Sequence, residues 1–350
     1  MCEAVAPAVR ASGADCRVPQ KEENRETMKA NLAAPNKVQD FLSTVVRVDA
    51  SPTVDDQLAT KLKSCSAAMY DQLAERALRF WNWGLHRDDV DSELQKRLPD
   101  YHFETDGYSE QLYFYMVRQI PVTDHGKLTL LEVGSGAGNG LNLVSRVFGF
   151  KALTGVDLSA NAVRAANARF SRPGLRYLQG DAERLPLGNA EVDVVLNVES
   201  SHCYPSPLRF MNEVARVLKP GGYFAHADVF TKERWSVFES AKRENRSFDW
   251  IESIDISPYV RDAITKRMVP NSLIRRHIRT RQPSWRENAR RRQLLPILAH
   301  EVRMLQAYGS QFVGYEQGLR EKVVNALSKD KGRGYHSRIE KYVYHLGRRL

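Results

Sequence analysis

Cysteine is scarce in this chain of 350 residues: Cys2, Cys16, Cys65 and Cys203 stand far apart, with no C-x-x-C pair and no metal-ligand spacing. Thiols so few and so scattered do not make a disulfide framework and suit a reducing compartment. The chain is therefore read as cytoplasmic and without a metal centre. Long apolar runs are also missing, and none approaches the ~18–20 consecutive residues of a membrane helix. Residues 1–20 have no continuous apolar core of the signal-peptide kind, and Asp15, Glu22, Glu23 and Glu26 do not fit an acid-poor transit peptide. No internal repeat is evident.

What is present is ordinary for a globular protein: 42% hydrophobic and 27% charged residues, enough for a substantial core. The formal net charge is +10, and it is unevenly spread. Arg275, Arg276, Arg279, Arg281, Arg286, Arg290, Arg291 and Arg292 crowd one segment. Such a stretch suits RNA phosphates, an anionic membrane surface or an acidic partner, or it is a solvated helical face. Only Trp285 interleaves with the arginines and no RNA-binding module is recognisable, so a nucleic-acid partner is not expected. Peripheral contact with a membrane or an acidic partner through Arg275–Arg292 remains open.

Residues 1–50, rich in Ala, Pro, Asn and charge, read as a disordered leader. Residues 51–125 read as a helical lid or substrate region, with Leu58, Leu62, Cys65 and Met69 as an apolar stripe, the aromatic segment Phe80-Trp81-Asn82-Trp83 and a helix over Tyr108–Arg118. Between residues 126 and 231 short apolar runs alternate with helical patterns. Strands are expected at Leu128–Val133, Leu153–Leu158, Leu175–Gln179, Val192–Val198 and Gly222–Val229. This alternation predicts a parallel sheet with right-handed crossovers. Residues 232–308 read as a helical, polar, substrate-binding insertion. Residues 309–350 read as closing strands, at Gln311–Glu316 and Lys341–Leu346.

The first strand runs into Glu132-Val133-Gly134-Ser135-Gly136-Ala137-Gly138-Asn139-Gly140. Glycines here let the backbone turn sharply and approach a ligand, and the next helix presents its N-terminus. Nicotinamide-dinucleotide sites share such a loop, but the third glycine of their pattern would fall on Asn139. Asp157, ending the second strand beside Leu158, can accept from ribose hydroxyls. Asp181-Ala182 follows the third strand, where a carboxylate can accept from an adenine amine. Asn197-Val198-Glu199-Ser200-Ser201-His202 ends the fourth, and Leu218-Lys219-Pro220-Gly221-Gly222 makes a helix stop and a turn.

In this order the motifs resemble those of class I S-adenosylmethionine-dependent methyltransferases, over about residues 127–230. The resemblance implies an α/β fold: a Rossmann-like, seven-stranded, mostly parallel sheet with helices on both faces, an N-terminal helical lid and a helical insertion before the last two strands. It implies S-adenosylmethionine as cofactor. Glu132, Gly134, Ser135, Gly136 and Gly138 would take its methionyl and ribose end, Asp157 and Leu158 the ribose, Asp181 and Ala182 the adenine, and Asn197 would lie beneath the methionine portion.

Residues just past the fourth strand face the ligand crevice at the carboxyl ends of the strands. His202 there is a candidate base for a hydroxyl acceptor or a wall residue, and Glu199 is the base or the group that orients it. His226 and Asp228 are further candidates, and Cys203 reads as a packed small residue. The segment Asn197–Pro205 also resembles that of the phthiotriol/phenolphthiocerol dimycocerosate-type O-methyltransferases, which methylate a hydroxyl on a long lipid diol. That likeness implies a small-molecule or lipid-like acceptor. Methylation of nitrogen or carbon, methylation of RNA, and catalytically silent cofactor binding are the alternatives.

Overall fold

Strands buried on both faces need apolar residues at successive positions, and the central segments of this chain supply them. The computed structural model describes residues 34–51, 53–75, 80–99, 107–268 and 338–350. Its strands are β1 (Thr129–Val133), β2 (Ala152–Asp157), β3 (Leu175–Gln179), β4 (Val192–Val198), β5 (Leu218–Thr231), β6 (Phe248–Asp255) and β7 (Ile339–Arg349). They form a seven-stranded sheet in the order β3-β2-β1-β4-β5-β7-β6. β1 to β5 pair in parallel, and β7 runs antiparallel between β5 and β6. Alternate residues go to opposite faces: Leu130, Val194, Leu196 and Ala225 join one buried cluster, while Leu131, Val133, Val195 and Phe224 join another.

The helices are α1 (Ala34–Asp49), α2 (Asp56–Glu75), α3 (Asp88–Arg97), α4 (Tyr108–Arg118), α5 (Asn139–Val147), α6 (Ala160–Phe170), α7 (Pro207–Val217), α8 (Lys232–Glu244) and α9 (Ser257–Met268). Local chemistry starts several of them. Ser159 accepts from the Ala162 N–H at the head of α6, and Ser206 accepts from Arg209 N–H ahead of Pro207 at the head of α7; such caps satisfy donors that a helix start leaves open. Strand order reverses between β1 and β4, which opens a crevice at their carboxyl ends. Among the described residues no helix is long and apolar enough to cross a membrane.

Two expectations need correction. The span 1–50 is not leader throughout: α1 begins at Ala34, and its Phe41, Val45 and Val48 are buried at i, i+4 and i+7, a helical stripe packed on α2. The span 232–308 is not wholly helical either, since β6 lies at Phe248–Asp255 and takes the sheet edge beside β7. Its outward residues Asp249, Ile251, Ser253 and Asp255 are exposed, so polar character masked the strand. Lys341–Leu346 falls inside β7. Gln311–Glu316, the arginine segment and residues 1–33 lie outside the described residues.

Candidate active site

A cleft of about 910 Å³, including its solvent-open part, lies over the carboxyl ends of β1, β2 and β4. Its floor is the loop Gly134–Ala137. Gly134, Gly136 and Gly138 have φ of 76°, 53° and 82°, the left-handed region that glycine enters at no steric cost. At Gly136 a Cβ would also come within 2.9 Å of the Trp81 ring. Asp157 ties the loop down: one carboxylate oxygen accepts from Gly136 N–H and the other from Ser159 N–H, both at 2.8 Å. Burial pushes its carboxyl above the usual range, against those two bonds.

Of the residues singled out in the sequence, Gly134, Ser135, Gly136, Asp157, Leu158, Asp181, Ala182 and Glu199 line this cleft. Glu132, Gly138, Asn197 and His202 stand behind its wall. Asn197 is fully buried and donates through Nδ2 to Val133 O and Ser200 Oγ, both at 2.8 Å; it holds the ends of β1 and β4 together. The Gly138 carbonyl accepts from Tyr177 OH at 2.9 Å. Glu132 is fully buried and accepts from Tyr113 OH at 2.7 Å; burial pushes its carboxyl up to about 8.

Glu199 follows β4 in a left-handed conformation, φ 48°, which costs a non-glycine residue roughly 1–3 kcal/mol. Two donors from distant parts of the chain hold that geometry. Trp83 N–H bonds Glu199 Oε2 at 2.7 Å and Tyr342 OH, from β7, bonds the same oxygen at 2.9 Å. Arg267 in turn holds the Trp83 carbonyl at 2.6 Å. Burial raises the Glu199 carboxyl to about 8.

His202 sits in the turn Ser201–Cys203, its Nδ1 2.7 Å from Asp228 Oδ1. Asp228, on β5, also accepts from Ser201 Oγ at 2.6 Å and from His202 N–H at 2.9 Å. Burial works against the His202 charge, but Cys203 and Asp228 outweigh it and hold the imidazole well above its ordinary value. Burial likewise works against the Asp228 charge, and His202 outweighs it, lowering the carboxyl to about 2. Asp228 therefore orients the His202 ring through Nδ1 and favours its charged form.

Helix α2 covers the cleft. Lys63 meets Asp181 at 2.7 Å and Glu183 at 2.6 Å. Tyr70 OH lies 3.6 Å from Cys203 Sγ, and its ring stacks on Trp81 at 5.2 Å. Asp71 accepts from Ser159 Oγ at 2.5 Å and from Asn161 N–H at 3.1 Å. Lys63, Tyr113 and Tyr342 received no site role in the sequence reading. Lys63, Ser66 and Tyr70 fall at i, i+3 and i+7, a polar stripe beside the apolar one, and that spacing was the signal for a ligand-facing side of α2.

The described residues fit an adenosyl sulfonium. Asp157, Asp181 and Glu183 on the cleft wall are balanced only by Lys63 among its described ionisable residues, which favours a cationic ligand. Ser66 Oγ, Trp81 Nε1, Asn82 Oδ1 and Ser135 Oγ are buried on the same wall without a hydrogen-bond partner. Buried polar groups left unpaired are costly, and a ligand can satisfy them.

Residues 131–226 match the family described as "Methyltransferase domain", and S-adenosylmethionine is the cofactor that match supports. In sequence it is similar to the phthiotriol/phenolphthiotriol dimycocerosates methyltransferase of Mycobacterium tuberculosis, 37% identical over 161 residues, 46% of this chain and 57% of that protein. It is similar as well to the fatty-acid O-methyltransferase of Mycolicibacterium smegmatis, 45% identical over 126 residues, 36% of this chain and 45% of that one. The chain thus spans about half the length of these relatives. Among solved structures it resembles the geranyl diphosphate C-methyltransferase of Streptomyces coelicolor A3(2), with TM-score 0.51, 14% identity and coverage of 86% and 99%. It also resembles the cyclase SpnF, with TM-score 0.52, 18% identity and coverage of 82% and 96%. A cyclase and a methyltransferase on one fold show that fold alone does not decide the reaction.

Proposed function

We propose that this chain transfers the methyl group of S-adenosylmethionine to a hydroxyl of a small, lipid-like molecule. The observation that carries this reading is Glu199: a carboxyl on the cleft wall, fastened through one oxygen by Trp83 and Tyr342, with burial raising it to about 8. An alcohol is a poor nucleophile until its proton leaves, and a base titrating near the working pH removes it most effectively. Bound S-adenosylmethionine supplies an electrophilic methyl group on a positively charged sulfur. The glycine loop and Asp157 orient the adenosyl end, α2 and Trp81 exclude water, and Glu199 takes the acceptor's proton. His202, oriented through Nδ1 by Asp228, braces the turn behind Glu199. Much of the acceleration then comes from in-line positioning.

The name of the Mycolicibacterium relative favours a second reading, in which the acceptor is a carboxylate. A carboxylate needs no base, and it would meet the acidic wall described above. Incubation with methyl-labelled S-adenosylmethionine and matched long-chain alcohols and fatty acids separates the two. Label in the alcohols supports hydroxyl transfer, and label in the acids alone removes it.

A further inference from the structure

Glu199 is a half-buried carboxyl on the wall of the cleft. Groups from six parts of the chain face Glu199. Trp83 N–H comes from the segment before α3, Tyr342 OH from β7, His202 from the turn after β4, and Asp228 from β5. The Tyr113 and Tyr70 phenols come from α4 and α2. Among these, His202 is the one cation, and its Nδ1 is bound to Asp228 at 2.7 Å. Neither donor on Glu199 is a cation, and both bond the same oxygen, Oε2. A carboxyl so placed stays protonated in the empty cleft, in keeping with its raised value of about 8.

We propose that Glu199 carries its negative charge only while a cationic methyl donor occupies the cleft, so that loading the donor arms the base. The idea rests on the function proposed above and adds how the base is regulated. A sulfonium brings one fixed positive charge into a buried site, and an opposite charge nearby favours the ionised carboxyl. The reaction then balances within the cleft. The acceptor oxygen forms a bond to the methyl carbon as the carbon–sulfur bond breaks, and the acceptor's proton passes to Glu199. The positive charge is lost with the methyl group and the negative charge with the proton, so net charge is unchanged. The spent thioether holds no charge on sulfur, and Glu199 keeps its proton through product release until the next donor loads. An idle cleft accordingly holds no charged base.

The test is isothermal titration of the wild-type protein with S-adenosylmethionine and with S-adenosylhomocysteine, in two buffers of different ionisation enthalpy at pH 7. The two ligands share the adenosine and the amino-acid tail and differ in the sulfonium methyl. S-adenosylmethionine should release about one more proton per site than S-adenosylhomocysteine, and Glu199→Gln should abolish that difference. Equal proton release by the two ligands, or a difference that survives Glu199→Gln, overturns the proposal. The wild-type protein supplies a second readout. Its preference for S-adenosylmethionine over S-adenosylhomocysteine should grow up to about tenfold per pH unit between pH 6 and 8 and level off above; a preference flat with pH overturns the proposal equally. Failure of the folded protein to bind either ligand instead removes the cofactor assignment beneath it.

Discussion

Tyr113 donates a 2.7 Å hydrogen bond to Glu132, the two meeting between α4 and the end of β1. The ring reaches that carboxyl by lying against Gly140, where a Cβ would come within 1.9 Å of it. Gly140, in the first turn of α5, therefore makes room for α4.

Gly140→Ala should displace Tyr113 and destabilise the protein by about 1–3 kcal/mol through overpacking. Tyr113→Phe should cost a similar amount, about 1–3 kcal/mol, by leaving Glu132 without its donor. Urea denaturation of both variants and of the double variant checks this. Because both changes break one contact, their costs should not add.

Asp228→Asn should leave the His202 imidazolium without its counter-charge. Removing one partner of a buried pair costs about 3–5 kcal/mol, measurable by denaturation at pH 6. The pH dependence follows from the two shifts. His202, raised when folded, contributes stability below its unfolded value of 6.5 and loses it as pH rises through the folded value. Asp228, lowered to about 2, contributes above 3.8 and loses it as pH falls toward 2. In Asp228→Asn this window of added stability between acid and neutral pH should vanish.

The ligand-free protein should lose stability as pH rises from about 5 to 8. Glu132 and Glu199, both raised from 4.5 to about 8, favour folding in their protonated forms, and that contribution fades between the two values. Thermal midpoints across this range should slope less in Glu132→Gln and in Glu199→Gln than in wild type.

Lys63→Met should destabilise the protein by about 1–3 kcal/mol, because it leaves Glu183, whose side chain is 4% exposed, without its ion-pair partner. It should also speed release of S-adenosylhomocysteine several-fold, since Lys63 fastens α2 across the cleft. Stopped-flow dissociation rates check this.

The parallel core was legible because its short apolar-rich runs alternate with helical patterns: Leu175–Gln179 and Val192–Val198 fall where the pattern puts them. β6 was not legible, because an edge strand with Asp249, Ser253 and Asp255 outward carries the composition of a polar helix. Gly134, Gly136 and Asp157 could be read as lining a ligand because local motifs at the ends of the first two strands carry their chemistry. Glu199 could be named from its place after β4, but not its state. The donors that hold it come from Trp83 and Tyr342, 116 and 143 residues away, and such pairings exist only after folding. His202 was the more obvious base by residue type; Asp228, 26 residues further on, holds its Nδ1.

The most direct test of the central claim is single-turnover transfer of labelled methyl from S-adenosylmethionine to a long-chain alcohol, in wild type and Glu199→Gln, with S-adenosylhomocysteine affinity measured beside it. The account predicts a labelled ether from wild type, and in Glu199→Gln a rate lower by about 100-fold or more with the ligand still bound. Transfer in Glu199→Gln at close to the wild-type rate would contradict it, as would no transfer to any hydroxyl by a protein that binds S-adenosylmethionine.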